Sequence, residues 1–280
     1  MSVLAVTGSS GAVGGAVARA LGSAVDRLVL RDPAKAPALA GASPAVVTAA
    51  YGDHVASVAA LTGVDLLFMV SGAEAPDRRA QHRDFIAAAA EAGVQHIVYT
   101  SFSGAAPDAV FTLGRDHFDA EQAIRDSGMT FTLLRDQLYS DFFPLLADDE
   151  GVIRGPAGSG RVAGVARADV ADAAAAVLRD SAAHAGAVYT LTGPEAITLT
   201  EAAARMSAAL GRPFSFVDQT EDEAYASRRV FTTEQWQLDA WVSTYTAIRD
   251  GTASAVSADV PRLTGHPARM LEQAIRPPAA

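Results

Sequence analysis

Thr7-Gly8-Ser9-Ser10-Gly11-Ala12-Val13-Gly14 is the stretch that decides the fold. Residues 2–7 (SVLAVT) before it form a short apolar run, and residues 12–21 after it repeat apolar side chains at helical spacing. A glycine-spaced turn between a strand and a helix is the phosphate-binding turn of a Rossmann unit. In that reading Gly8 permits the tight turn, Gly11 lets the backbone approach a pyrophosphate, and Gly14 lets helix and strand pack closely. The helix then offers N–H groups and a positive dipole end to phosphate oxygens. Thr7, Gly8, Ser10, Gly11, Ala12 and Val13 are the expected phosphate-side residues. The plain alternative is a glycine-rich turn with no ligand.

Outward from this turn the same rhythm repeats. Short apolar runs at 27–30, 45–48, 65–70, 96–100 and 130–134 alternate with helical stretches. The clearest helices are 78–92, closed by Gly93, and 116–127, closed by Gly128. Such alternation predicts an α/β fold, a doubly wound parallel sheet with helices on both faces. The strands read as continuous apolar runs because both faces are covered. After Arg135 the rhythm breaks. Residues 137–146 are aromatic and irregular, and 151–164 read as a glycine-rich loop. Residues 162–179 read as a short strand leading into a helix, and 188–192 as a late sheet strand. From 198 onward the pattern is helical, at 198–210, 221–225 and 233–250. The expected organisation is a dinucleotide-binding Rossmann domain over 1–150. Residues 151–280 would then supply its remaining strands and a small, mostly helical C-terminal lobe for the substrate.

Composition narrows the function. Half of the 280 residues are hydrophobic, enough for a sizeable core. The net charge of −10 argues against a nucleic-acid partner or an anionic membrane surface. No apolar run approaches the roughly 18 residues of a membrane span, and no charged leader precedes the first strand, so a cytoplasmic protein is expected. With no cysteine there is no disulfide, thiolate nucleophile or thiolate-held metal, and no metal site is expected.

The strand ends suggest which dinucleotide is held. An acidic residue about 20 residues past the glycines would bind the adenosine ribose hydroxyls and select NAD. Here the second strand ends in Arg31, whose guanidinium matches a 2′-phosphate in charge and fork geometry. Lys35, the only lysine, lies one turn further on. NADPH is therefore favoured, with NADH as the alternative if Asp32 faces the ribose. Asp53, in Tyr51-Gly52-Asp53, either binds the adenine amine or caps the helix starting near His54. Val70, Ser71 and Gly72, after the fourth strand, are expected to flank the cofactor, their small side chains letting the backbone approach the ribose.

The reaction is constrained by what is missing. Short-chain dehydrogenases usually carry Tyr-x-x-x-Lys, in which the lysine lowers the tyrosine pKa so that it can protonate an alkoxide. That pair is absent, and Lys35 sits on the adenosine side. Quinones need no strong proton donor, because hydride addition yields a weakly basic, phenolate-like oxygen.

On VTGSSGAVG, RDPAKA, YGD, AQHRDFIAAAAEAGVQHIVYTS, FTLLRDQLYSDFF, RADVADAAAAVL and LTGHP, the chain resembles the NmrA-like, atypical branch of short-chain dehydrogenases. Within that branch it resembles the NAD(P)H:quinone oxidoreductases, over nearly its whole length. The resemblance implies NADPH and a flat aromatic substrate in a cleft between the Rossmann domain and a small lobe. A quinone or an anthraquinone-type polyketide of secondary metabolism would suit it. The same family holds non-catalytic cofactor-sensing regulators, which would bind a protein partner, and isoflavone-type reductases. It places a polar residue at His117 near the nicotinamide, with a proton relay as its functional role and core packing as the alternative. Ser101 matches the family's Tyr-Thr-Ser position and either serves catalysis or caps the turn. Tyr139 is expected to line the pocket and donate a hydrogen bond. Ser103, Phe142, Phe143 and Trp236, with Trp241, are candidate substrate contacts, the aromatics otherwise being lobe core. His82, sharing a helical face with Phe85 and Ile86, reads as a satisfied interior histidine. Ala50, where an acidic residue is frequent, and Asp136, where asparagine is usual, depart from the family pattern. The oligomeric state is not legible.

Overall fold

The computed structural model describes residues 2–276. Its first half is the expected alternation: β1 (Leu4–Thr7), α1 (Ala12–Leu21), β2 (Arg27–Leu30), β3 (Ala45–Thr48), α2 (His54–Leu61), β4 (Leu66–Met69), α3 (Arg78–Glu91), β5 (His96–Phe102), α4 (Thr112–Asp126) and β6 (Thr130–Asp136). There follow β7 (Val152–Gly155), β8 (Arg161–Val162), α5 (Arg167–Arg179), β9 (Val188–Leu191), β10 (Ile197–Thr198), α6 (Leu199–Leu210), β11 (Ser215–Asp218), α7 (Glu221–Arg228), α8 (Gln235–Arg249), α9 (Asp259–Thr264) and α10 (Leu271–Ile275).

Among the described residues the main sheet has seven strands in the order β3-β2-β1-β4-β5-β6-β9. Pairings from β3 through β5 are parallel. At β6 and β9, Leu133 N–H reaches the Ala187 carbonyl and Gln137 N–H reaches that of Leu191. The register rises along both chains together, so this pair is parallel too. β1 lies between β2 and β4, and the strand order reverses there. A ligand crevice opens at such a switch point, outside the carboxyl ends of the strands. The fold is an α/β Rossmann fold. Ala5, Leu67, Met69, Ile97, Tyr99 and Leu133 from the sheet pack with Phe85, Ile86 and Ile124 from α3 and α4 in one buried cluster.

The chain divides into two compact units, each built of three separate segments. The first takes 1–105, 116–135 and 170–189; the second takes 106–115, 136–169 and 190–280. A single cut at residue 150 therefore does not separate them. The second unit holds its own core, including Ile153, Val162, Leu199, Met206, Tyr245 and Ile248.

The structure departs from the sequence reading in three places. α4 starts one turn before residue 116, where the Thr112 N–H donates to the Ser243 hydroxyl at 3.1 Å. A cap supplied from 131 residues away leaves no local signal. The glycine-rich segment 151–164 is not wholly loop: it contains β7 and β8. The region after 198 is not wholly helical either, because Ser215–Asp218 forms β11, parallel to β7. β7 and β11 pair with each other outside the seven-stranded sheet, so the strand-helix alternation gives no sign of them.

Candidate functional site

The glycine turn comes first. Gly8 has φ of +62°, the left-handed region that glycine enters without strain. A Cβ on Gly8 would lie 2.7 Å from the Val70 Cβ, and one on Gly14 only 2.4 Å from the Gly8 oxygen. The Gly11 N–H donates to the Gly8 carbonyl at 2.9 Å, closing the turn. α1 starts with Gly11 at its N-cap and no side-chain cap, so its first N–H groups are left to a ligand or water. Ser10, Gly11 and Ala12 are exposed, whereas Val13 is buried in the helix packing. This cradle, with an uncapped helix end facing it, fits a pyrophosphate. Thr7 differs from expectation. Its oxygen accepts from the Val70 N–H at 2.9 Å and lies 2.7 Å from the Tyr51 hydroxyl, so it ties strand ends together inside the protein. Gly15 was missed: a Cβ there would meet the Ser9 oxygen at 2.7 Å.

On the adenosine side, the Asp32 carboxylate accepts from the Ala34 N–H at 3.1 Å and pairs with Lys35 at 3.8 Å. It caps its own short turn, and Lys35 is drawn to it. Arg31 is exposed and has no hydrogen-bond or ionic partner among the described residues. Asp53 takes the capping role, accepting from the Ala56 N–H at 3.0 Å at the start of α2. The neighbouring Tyr51 is the more embedded residue, stacked on Phe85 at 4.2 Å with its hydroxyl donating to the Val70 carbonyl at 2.5 Å.

The sequence leaves His117 open between a proton relay and core packing, and its surroundings favour the second. Its Nε2 lies 3.1 Å from an Arg78 nitrogen, and its Nδ1 lies 3.0 Å from the Tyr99 hydroxyl. Arginine only donates, so Nε2 is an unprotonated acceptor and Nδ1–H points to Tyr99. Burial, then the charge of Arg78, hold the imidazole pKa well below its usual value. His117 is a neutral ring with both nitrogens engaged. Ser101 is fully buried, and its hydroxyl donates to Glu121 at 2.5 Å, a carboxylate that Arg135 clasps at 2.8 and 2.6 Å. In the second unit the Tyr139 hydroxyl donates to Asp136 at 2.5 Å. Burial and that carboxylate push the phenol pKa well up. All three residues proposed from sequence as catalytic thus give their polar atoms to the protein.

The aromatic wall is corrected at Phe143, which is 3% exposed and packed in the core of the second unit. Phe142 beside it is exposed. Trp236 is half-buried at the start of α8, its indole N–H without a partner. Ser103 is buried near the end of β5. His82 is satisfied only at Nε2, which accepts from the Gly72 N–H at 2.8 Å; Nδ1 is buried and unpaired. Arg78, unnoticed in the sequence, is 4% exposed and donates to Gly72, Asp116 and His117. The signal was its spacing: Arg78 and His82 are i and i+4 on one face of α3.

These buried histidines set a pH dependence. Burial and Arg78 lower the His82 pKa to about 3. The unfolded chain binds a proton near pH 6.5, but the folded chain resists it. The stability carried by a neutral His82 is therefore complete above about pH 6.5 and drains as pH falls towards 3, by about 1.4 kcal/mol per pH unit. His117 acts in the same direction, and the half-buried His54, raised by Glu91 and Asp84, in the opposite one. Urea titrations at pH 7 and pH 5 should show a smaller acid loss in His82→Gln than in wild type. Equal losses would show that His82 is not held neutral.

A strand-turn-helix cradle for a pyrophosphate at the switch point of a parallel sheet defines a dinucleotide-binding protein. The chain belongs to the NAD(P)H-binding family, whose model matches residues 8–181, and is an NAD(P)H-dependent oxidoreductase. It is 34% identical to quinone oxidoreductase 2 of Escherichia coli, over 98% of this chain and 97% of that one. It is 36% identical to a (4-alkanoyl-5-oxo-2,5-dihydrofuran-3-yl)methyl phosphate reductase of Streptomyces griseus, over 95% and 94%. The crystal structure of the E. coli enzyme with NADPH superposes with a TM-score of 0.88, covering 98% of each chain. That of a Citrobacter triphenylmethane reductase with NADP(H), 30% identical, gives 0.84, again over 98% of each chain. Among the described residues no helix is long and apolar enough to cross a membrane.

Proposed function

We propose that this reductase uses NADPH, in preference to NADH, to reduce a quinone or a larger polycyclic hydroxyaromatic of the anthraquinone kind, without a flavin. One observation carries the reading: none of the three residues expected to serve catalysis offers an available strong acid. The Ser101 proton goes to Glu121, that of Tyr139 to Asp136, and His117 is neutral with both nitrogens engaged. An alkoxide product would need such an acid. A reduced quinone oxygen does not, because it is far less basic and takes its proton from water. The relatives support an unsaturated or conjugated acceptor, since they include a quinone oxidoreductase, an azoreductase and a triphenylmethane reductase.

Bound in the glycine cradle, NADPH would supply the hydride. The protein's part is to hold and align. The uncapped end of α1 binds the phosphates, Arg31 meets the 2′-phosphate, and the Val70–Gly72 segment flanks the ribose. Phe142 and Trp236 offer aromatic surface in the second unit. The expected result is rapid NADPH oxidation with benzo-, naphtho- or anthraquinones, slowed when the transferred hydrogen at C4 is replaced by deuterium. Tight NADPH binding with no oxidation by any quinone or hydroxyanthraquinone would overturn the substrate class.

A further inference from the structure

The segment after β4 is held in an unusual way. Three residues, Val70, Ser71 and Gly72, carry six backbone polar groups, and five are bonded to side chains. The Val70 N–H donates to Thr7 at 2.9 Å, and the Val70 carbonyl accepts from Tyr51 at 2.5 Å. The Ser71 N–H donates to the Thr100 hydroxyl at 2.9 Å. The Gly72 N–H donates to His82 Nε2 at 2.8 Å, and the Gly72 carbonyl accepts from Arg78 Nε at 2.9 Å. One residue is thus gripped on both its N–H and its C=O by two side chains one helical turn apart on α3. Arg78 is fixed in turn: its other nitrogens donate to Asp116 at 3.3 Å and to His117 at 3.1 Å, and His117 is backed by Tyr99 at 3.0 Å. Every member of this chain lies in the first unit.

The grip has a cost that packing alone does not explain. A guanidinium that is 4% exposed and a histidine with an unpaired buried nitrogen are expensive to bury. Apolar residues would fill the same volume more cheaply, but they would leave the Gly72 N–H and C=O unpaired. The segment they fix also touches the glycine turn, since a Cβ on Gly8 would lie 2.7 Å from that of Val70.

We propose that Arg78 and His82 are positioning residues for the dinucleotide: they clamp the Gly72 peptide and so preset the Val70–Gly72 segment in the ligand-free protein. His117 and Tyr99 serve by fixing Arg78. The clamp rests on the reading of Gly8–Gly14 and Val70–Gly72 as the cofactor site. It deepens that reading by assigning a role to two residues expected to touch neither cofactor nor substrate. A preset segment spares the cofactor the cost of ordering it on binding.

Two measurements test this. In wild-type protein without NADPH, amide hydrogen exchange at Val70, Ser71 and Gly72 should already be slow. Exchange at unstructured rates that slows only when NADPH is added would overturn the proposal, and no variant is needed to see it. By calorimetric titration, His82→Leu should weaken NADPH binding about tenfold, the loss of one buried hydrogen bond. His82→Gln, which restores an acceptor, should recover most of that affinity, whereas a purely structural role would give no such rescue. Wild-type affinity in a folded His82→Leu protein overturns the clamp. If Gly14→Ala loses NADPH in the same series, the clamp alone has failed. If Gly14→Ala also binds normally, the cofactor-site reading has failed with it.

Discussion

Gly14→Ala is expected to reduce NADPH affinity by at least about a hundredfold, equivalent to roughly 2.7 kcal/mol. The added methyl carbon would stand 2.4 Å from the Gly8 oxygen, 2.5 Å from the Gly8 carbonyl carbon and 2.8 Å from the Thr7 oxygen. All three are backbone atoms, so no side chain can swing aside. Either the turn or the first turn of α1 must shift, and the N–H groups that meet the phosphates shift with it. The fold should survive, because overpacking by one methyl typically costs about 1–3 kcal/mol. Calorimetric titration beside a melting curve separates the two effects. A folded variant with wild-type affinity would show that the phosphates are bound elsewhere.

Arg31→Ala is expected to weaken NADPH by roughly 10- to 150-fold, the worth of a charge-assisted contact of about 1.5–3 kcal/mol, and to leave NADH nearly unchanged. Arg31 is exposed and unpaired among the described residues, so its guanidinium is available to a 2′-phosphate. The competing acid is occupied: Asp32 caps Ala34 and pairs with Lys35. Lys35→Ala should have a smaller effect, because its ammonium already faces that carboxylate at 3.8 Å. Equal losses of NADPH and NADH on Arg31→Ala would show that discrimination lies elsewhere.

What was legible in the sequence follows the range of the forces involved. The glycine turn and the strand-helix rhythm are local patterns, and both appear where residues 2–21 and their repeats put them. β7 and β11 could not be read, because Val152 and its register partner Ser215 are brought together only by tertiary structure. At the site, residue types were legible but hydrogen-bond partners were not. Family resemblance places His117 near the nicotinamide, with a proton relay and core packing both open. Only the position of Arg78, 39 residues earlier, reveals a neutral acceptor. Asp53 left two roles open, and a 3.0 Å bond to Ala56 fills one of them. Phe142 and Phe143 are adjacent in sequence, yet one is exposed and the other 3% exposed, a difference set by the turn of one short helix.

The interleaving of the two units bears on how such a protein can be altered by recombination. A crossover near residue 150 would leave the first unit without 170–189 and the second without 106–115 and 136–149. A chimera between relatives that exchanges only the C-terminal half would therefore mix parentage inside both cores. To transplant the second unit intact, three pieces must travel together: 106–115, 136–169 and 190–280. The glycine turn lies in none of them, so in such a chimera the glycine cradle and its clamp would keep their own lineage.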